Sequence, residues 1–153
     1  MPASKTAQQH DLAVLSAAKS GLVCLKDNDW ILIADKAVRC RFESGERIVR
    51  RSKKVDGFYI LLKGSATVRL SPQGGSRTIG PGDVCGEISF VDGLPATADV
   101  VAEEPVEALF LDRSTLQTLI DLFPHLGSRL YQSLAAILTR RLRDVIGQAA
   151  LRK

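Results

Sequence analysis

Residues 80–120 read GPGDVCGEISFVDGLPATADVVAEEPVEALFLDRSTLQTLI. Glycines at 80, 82, 86 and 93 break the first half into pieces too short for a long helix. The second half carries two apolar runs of strand length, DVVA and VEALFL. The stretch is also acidic. Over residues 83–121, nine acids (Asp83, Glu87, Asp92, Asp99, Glu103, Glu104, Glu107, Asp112, Asp121) face one base, Arg113, a local net charge of −8.

Upstream, from Val38, the texture is the same. The runs VRCRF, RIV, FYILL, ATVRL and TI are cut at Gly45, Gly57, Gly64 and Gly74–Gly75. Short strands with turn signals at this density predict an antiparallel β-roll, barrel or sandwich over about residues 38–111, not βαβ units.

Helices are expected on both sides. Residues 10–19 place Leu12, Leu15 and Ala18 at helical spacing. A second helix, capped by Asp27 or Asn28, is expected to carry Trp30, Ile31, Ile33 and Ala34 toward a core, closing an N-terminal helical region of about 10–35. From Asp112, DRSTLQTLIDLFP reads as a capped helix ended by Pro124. A long helix is then expected to about residue 149. Its stripe is Leu126, Leu130, Leu134, Ile137, Leu138, Leu142, Val145, Ile146 and Ala149, with Arg129, Arg140, Arg141 and Arg143 mostly off it. The fold class is α+β, one domain over residues 1–153.

Composition agrees. The chain has 153 residues, 45% apolar and 25% charged, enough to bury one core. No run of about 18 apolar residues predicts a membrane span. The N-terminus MPASKTAQQHDLAV lacks the apolar stretch of a signal peptide, so a cytoplasmic location is expected. Cys24, Cys40 and Cys85 form no CxxC pair and read as reduced, partly buried thiols. His10 and His125 both lie outside the β region, which argues against a cupin-like metal centre and against Ser or Cys nucleophile catalysis. No catalytic residue, metal or cofactor is expected. The net charge of +4 comes from bases clustered at 47–54 and at the C-terminal end, read as solvated surface.

The order GERIVRRSKKVDGFYILLKGSATVRL, then the segment quoted first, then a long helix with an arginine pair, resembles the cyclic-nucleotide-binding domain family. Within it the chain is similar to catabolite-activator-like regulators, from about residue 32 to 145. The resemblance implies a double-stranded β-roll and a phosphate-binding cassette. Gly86 and Glu87 match the family's Gly-Glu pair, with Glu87 accepting from a ribose 2′-hydroxyl. Backbone N–H groups after Gly86 would face an anion. The implied pocket is lined by Val84, Cys85, Gly86, Glu87, Ile88, Ser89, Pro95, Ala96, Thr97 and Ala98, Cys85 serving as a packing residue.

One departure matters. After Leu94–Pro95 the nucleotide-binding members place an arginine on the cyclic phosphate; here stands Ala96, and Asp99 adds negative charge nearby. Losing a charge-assisted hydrogen bond of about 1.5–3 kcal/mol predicts cAMP or cGMP binding weakened roughly 10- to 100-fold. By spacing past Arg140–Arg141–Leu142, the family's polar base contacts fall on apolar Val145 and Ile146. The long stripe predicts a parallel homodimer, with Leu138 and Leu142 at the seam and Leu134 and Val145 flanking. A DNA-reading helix-turn-helix is not expected in the ten residues after Arg143, so specific DNA binding is not expected either. Two readings remain: a stand-alone ligand-sensing module acting through an unidentified partner protein, or a ligand-free dimerisation or docking module with a vestigial pocket.

Overall fold

The structure, a computed structural model, describes residues 9–70 and 75–151; most of the N-terminal stretch read against a signal peptide, and the Gly74 break, lie outside them. Two helices come first, α1 (Gln9–Ala17) and α2 (Asp27–Lys36). Eight strands follow: β1 (Val38–Phe42), β2 (Arg47–Val49), β3 (Gly57–Lys63), β4 (Ala66–Arg69), β5 (Ser76–Ile79), β6 (Val84–Cys85), β7 (Asp99–Ala102) and β8 (Val106–Asp112). A short helix, α3 (Glu87–Asp92), sits between β6 and β7, and α4 (Arg113–Leu122) and α5 (Pro124–Leu151) close the chain. The α+β reading holds: two antiparallel four-stranded sheets form a roll, ordered β1-β8-β3-β6 and β2-β7-β4-β5.

The sheets differ in how many faces they bury. β3 and β8 are central in the first sheet and covered on both sides, which is why their sequences are nearly continuous apolar runs. Phe58, Ile60, Leu62, Leu109 and Leu111 face the helices, whereas Leu61, Val106 and Ala108 face the roll interior. The second sheet is covered on its inner face. Ala66, Val68, Val100 and Ala102 point inward, and Thr67, Arg69, Asp99 and Val101 alternate outward.

The helices pack on the outer face of the first sheet. Trp30, Ile33 and Ala34 share the buried side of α2, but Ile31 is 54% exposed, correcting its assignment to the core. Residue 31 lies about 100° round the helix from Trp30 and about 160° from Ile33, beyond the edge of the face they centre. The α2 cap also differs from expectation: Lys26 precedes the helix, and its N–H donates to Asp29 Oδ2 at 2.9 Å. Asp112 caps α4 as expected, accepting from the Thr115 N–H at 3.2 Å. Phe123 alone separates α4 from α5, and Pro124 opens the next helix, where a missing N–H costs nothing.

The stripe on α5 divides. Leu126, Leu130, Leu134 and Ile137 are buried in the chain's own core, whereas Leu142, Val145 and Ile146 are more than half exposed. Arg129 fastens the buried half to α2 with two bonds to Asp29, Nε–Oδ2 at 2.6 Å and Nη2–Oδ1 at 2.8 Å.

Candidate functional site

β6 has two residues, and their alternation sets the site. Val84 turns into the core under the helices and Cys85 into the roll. Gly86 then takes φ 84°, ψ 0°, a left-handed conformation that a β-carbon would strain, and turns the chain into α3. Glu87, its first residue, is 2% exposed. Beside it a half-open pocket enters the roll, about 400 Å³ when the solvent space at its mouth is counted.

The floor of this cavity is one row of cross-strand partners. Val49 pairs with Val100, Val100 with Val68 and Val68 with Arg77. All four line the cavity. An apolar strip across three strands therefore ends in a guanidinium on β5, the edge strand.

Three ionic side chains line the cavity: Arg77, Glu87 and Arg141. Arg141 comes from α5, pairs with the Glu87 carboxylate through Nη1 and donates from Nη2 to the Val84 carbonyl at 3.3 Å. Burial, reinforced by the neighbouring Arg77 charge, pushes the Arg141 guanidinium down to about 10, so it stays charged at neutral pH. The Arg77 guanidinium has no hydrogen bond or ion pair among the described residues; burial lowers it too, partly offset by the Asp83 and Asp144 carboxylates. One carboxylate and two guanidiniums line the cavity, and Asp83 and Asp144, outside the lining, act on the guanidiniums electrostatically. Ser89 is 2% exposed, lines the same cavity, and its Oγ has no hydrogen-bond partner among the described residues. An orphaned buried hydroxyl costs about 1–3 kcal/mol.

The expected cassette is largely brought together: Cys85, Gly86, Glu87, Ile88, Ser89, Ala96, Thr97 and Ala98 line the cavity. Val84 and Pro95 do not. Val84 is buried on the opposite face, and only its carbonyl reaches the site through Arg141, while Pro95 is exposed on the loop. Burial pushes the Cys85 thiol up to about 12, consistent with a packing residue.

Asp99 does not add charge to the cavity as expected. It is absent from the lining, and Oδ1 accepts from the Arg51 N–H at 2.8 Å. Ala96 occupies the expected place, but its N–H is committed to the Lys53 carbonyl at 2.9 Å and is not open to an anion. Val145 and Ile146, 55% and 59% exposed, do not line the cavity of the single chain. Of the seam residues, Leu142 and Val145 are exposed and Leu138 half-buried, but Leu134 is 1% exposed, packed inside its own chain.

Neither cavity arginine is among the expected lining residues: the sequence offers Arg77 only as a substitute phosphate group should cyclic nucleotides bind tightly, and sets Arg141 off the helix stripe, although both positions carry a signal. Arg77 is two residues from buried Ile79, so strand alternation points both inward. Arg141 follows Ile137 by four residues and Leu134 by seven, on the buried side of α5. Among the described residues no group of three His, Cys, Asp or Glu is placed to hold a metal ion, and no helix is long and apolar enough to cross a membrane.

Comparison with known proteins places this geometry. A cyclic nucleotide-binding domain from Methylobacillus flagellatus KT superposes with a TM-score of 0.78 at 21% identity, covering 94% of this chain and 83% of that one. The Thermus thermophilus catabolite activator protein matches at 27% identity and a TM-score of 0.70, over 90% of this chain and 62% of that protein. The regulatory domain of Toxoplasma gondii PKA, solved with cAMP, matches at 22% identity and a TM-score of 0.64, over 87% and 48%. Residues 39–122, from the start of the roll to the end of α4, match the family described as cyclic nucleotide-binding domain. The cassette at Gly86–Glu87, the two-sheet roll around it and this match agree, and the chain belongs to the cyclic nucleotide-binding domain family.

Proposed function

We propose that the chain is a non-catalytic regulatory module that senses a small ligand in the roll cavity and passes the bound state to a partner protein through α5. The observation that carries this reading is the Arg141–Glu87 pair. It ties the first residue of the cassette helix to the point on α5 where burial ends. A ligand that competes for either partner changes how α5 is held. The exposed stretch at Leu142, Val145 and Ile146 is then the surface on which the change is read, by a second copy or another protein.

Cyclic AMP and cyclic GMP are weak ligands in this reading. The cassette lacks a guanidinium at Ala96, the Ala96 N–H is already bonded, and Glu87 is shared with Arg141. Moving a phosphodiester into a partly dry site with no guanidinium at the Ala96 end of the cassette is costly. Isothermal titration of the wild type and Ala96→Arg with both nucleotides tests this. The expected result is wild-type binding above micromolar Kd and a gain of about 10- to 100-fold in the variant, the worth of one charge-assisted bond. Submicromolar wild-type binding overturns the weakened-affinity reading. Glu87 locked by Arg141 also suits a vestigial pocket, and that alternative predicts no gain in the variant.

A further inference from the structure

We infer that the cavity is built for a small organic monocarboxylate, with its carboxylate on Arg77 and its apolar body lying across Val68, Val100 and Val49. The inference rests on the reading that this cavity senses a ligand, and it names the ligand's class. Three observations point to it. First, Arg77 is a half-buried guanidinium that lines the cavity with no hydrogen bond or ion pair among the described residues. A planar fork held partly out of water, beside a second guanidinium, is matched by a planar carboxylate. Second, Glu87, the one carboxylate lining the cavity, is taken up by Arg141, and Asp83 and Asp144 act on Arg77 without an ion pair to it, so its guanidinium faces the cavity with no bonded acid. A carboxylate brings one charge to that one guanidinium, whereas a phosphomonoester brings about −1.5 to −2. Third, Ser89 Oγ is a buried hydroxyl still lacking a partner in the same cavity. It is free to donate to an acceptor on the ligand.

Position separates this ligand from a cyclic nucleotide. Arg77 stands on β5, two strands across the second sheet from β7, about 10 Å at the usual strand spacing. The free cationic group is therefore displaced from the Ala96 end of the cassette, where the family resemblance puts a cyclic phosphate. Val68 on β4 and Val100 on β7 continue the row from Arg77, and Val49 extends it onto β2. Such a floor takes an aromatic or branched aliphatic body and offers nothing to a sugar or a second charge.

The test titrates the whole chain with benzoate, phenylacetate and 4-methylpentanoate, each against its neutral amide, and with cAMP and cGMP in parallel. Isothermal titration and thermal shift are the readouts. At least one acid is expected to bind and raise the melting temperature, with its amide about tenfold weaker or worse. Arg77→Leu is expected to lose that preference for the acid, while the free variant melts no lower than the wild type because a desolvated charge has gone. Ser89→Ala is expected to weaken the acid severalfold. Equal binding of acid and amide, or an acid affinity unchanged in Arg77→Leu, overturns the assignment. So does an Arg77→Leu variant that melts lower when free, since Arg77 is then structural. Binding of a cyclic nucleotide with no acid bound overturns the carboxylate class and leaves the sensing reading standing. Binding of neither class at about 10 mM overturns both.

Discussion

The two halves of α5 carry the same apolar spacing and have opposite fates. Leu126, Leu130, Leu134 and Ile137 lie between 0% and 2% exposed, whereas Leu142, Val145 and Ile146 lie between 55% and 59%. The boundary is not a change in hydrophobic pattern. It falls at Arg140 and Arg141. Arg140 donates to the carbonyls of Lys19 and Ser20, and Arg141 reaches Glu87 and Val84. An amphipathic stripe records that a face wants cover, and the length of the surface beneath it decides how much is covered from within.

The comparison is broken most directly at its buried end. Leu130→Ala is expected to destabilise the chain by about 2–5 kcal/mol, read from denaturant unfolding, because it opens a cavity in the main core. Leu142→Ala is expected to change monomer stability by no more than about 0.5 kcal/mol. Equal losses would remove the distinction between the halves. The exposed half is proposed as a homodimer seam centred on Leu142, with Leu138 and Val145 beside it. Leu142→Glu is therefore expected to give a monomer by light scattering where the wild type is a dimer. A monomeric wild type at micromolar concentration would sink that proposal.

A smaller effect sharpens the buried half. The Arg129 hydrogen bonds hold the Asp29 carboxyl below its ordinary value of 3.8. A carboxylate whose folded value is depressed stabilises the fold above its unfolded value, and that stability is lost as pH falls through the folded one. Thermal unfolding between pH 7 and pH 2 should therefore show Asp29→Asn less stable at neutral pH, with a flatter decline below about pH 4. Identical acid limbs would show that the pair does not hold α5 to α2.

The smallest effect is kinetic. Cys85 lies at the cavity beneath the junction of the halves, its thiol pushed up to about 12 by burial. Native-state labelling with a thiol reagent, mapped by mass spectrometry, should leave Cys85 far slower than in the unfolded chain. Leu130→Ala should accelerate it and Leu142→Ala should not. Rapid wild-type labelling would mean the cavity end of the roll opens readily.

Legibility followed the length of each element. The runs at β3, β7 and β8 were readable because alternation or continuity extends over four to seven residues. β6, two residues long, carries no period and exists because Tyr59 and Ile60 pair with it. Ile31 misled because composition alone put it in the core, though helical geometry turns it outward. In the cassette, Gly86, Glu87 and Ala96 were readable from a contiguous motif. Pro95 and Asp99 belong to that same motif yet stay out of the cavity, one on an exposed loop and the other bonded to the Arg51 backbone.

From its amino-acid order alone this protein has an α+β roll, a cassette glycine at the sheet-to-helix turn, and an alanine at the position where the resemblance puts an arginine. Those features rest on local chemistry: φ preference, side-chain alternation and the presence or absence of a guanidinium at one place. Which charges occupy the cavity was settled by folding. Arg77 arrives from a strand at the far edge of the second sheet, and Arg141 from a helix 54 residues beyond Glu87 in the chain. Their meeting depends on sheet order and on the angle at which α5 crosses the roll. Neither leaves a trace in any short window, because a contact between distant segments is set by the packing of everything between them.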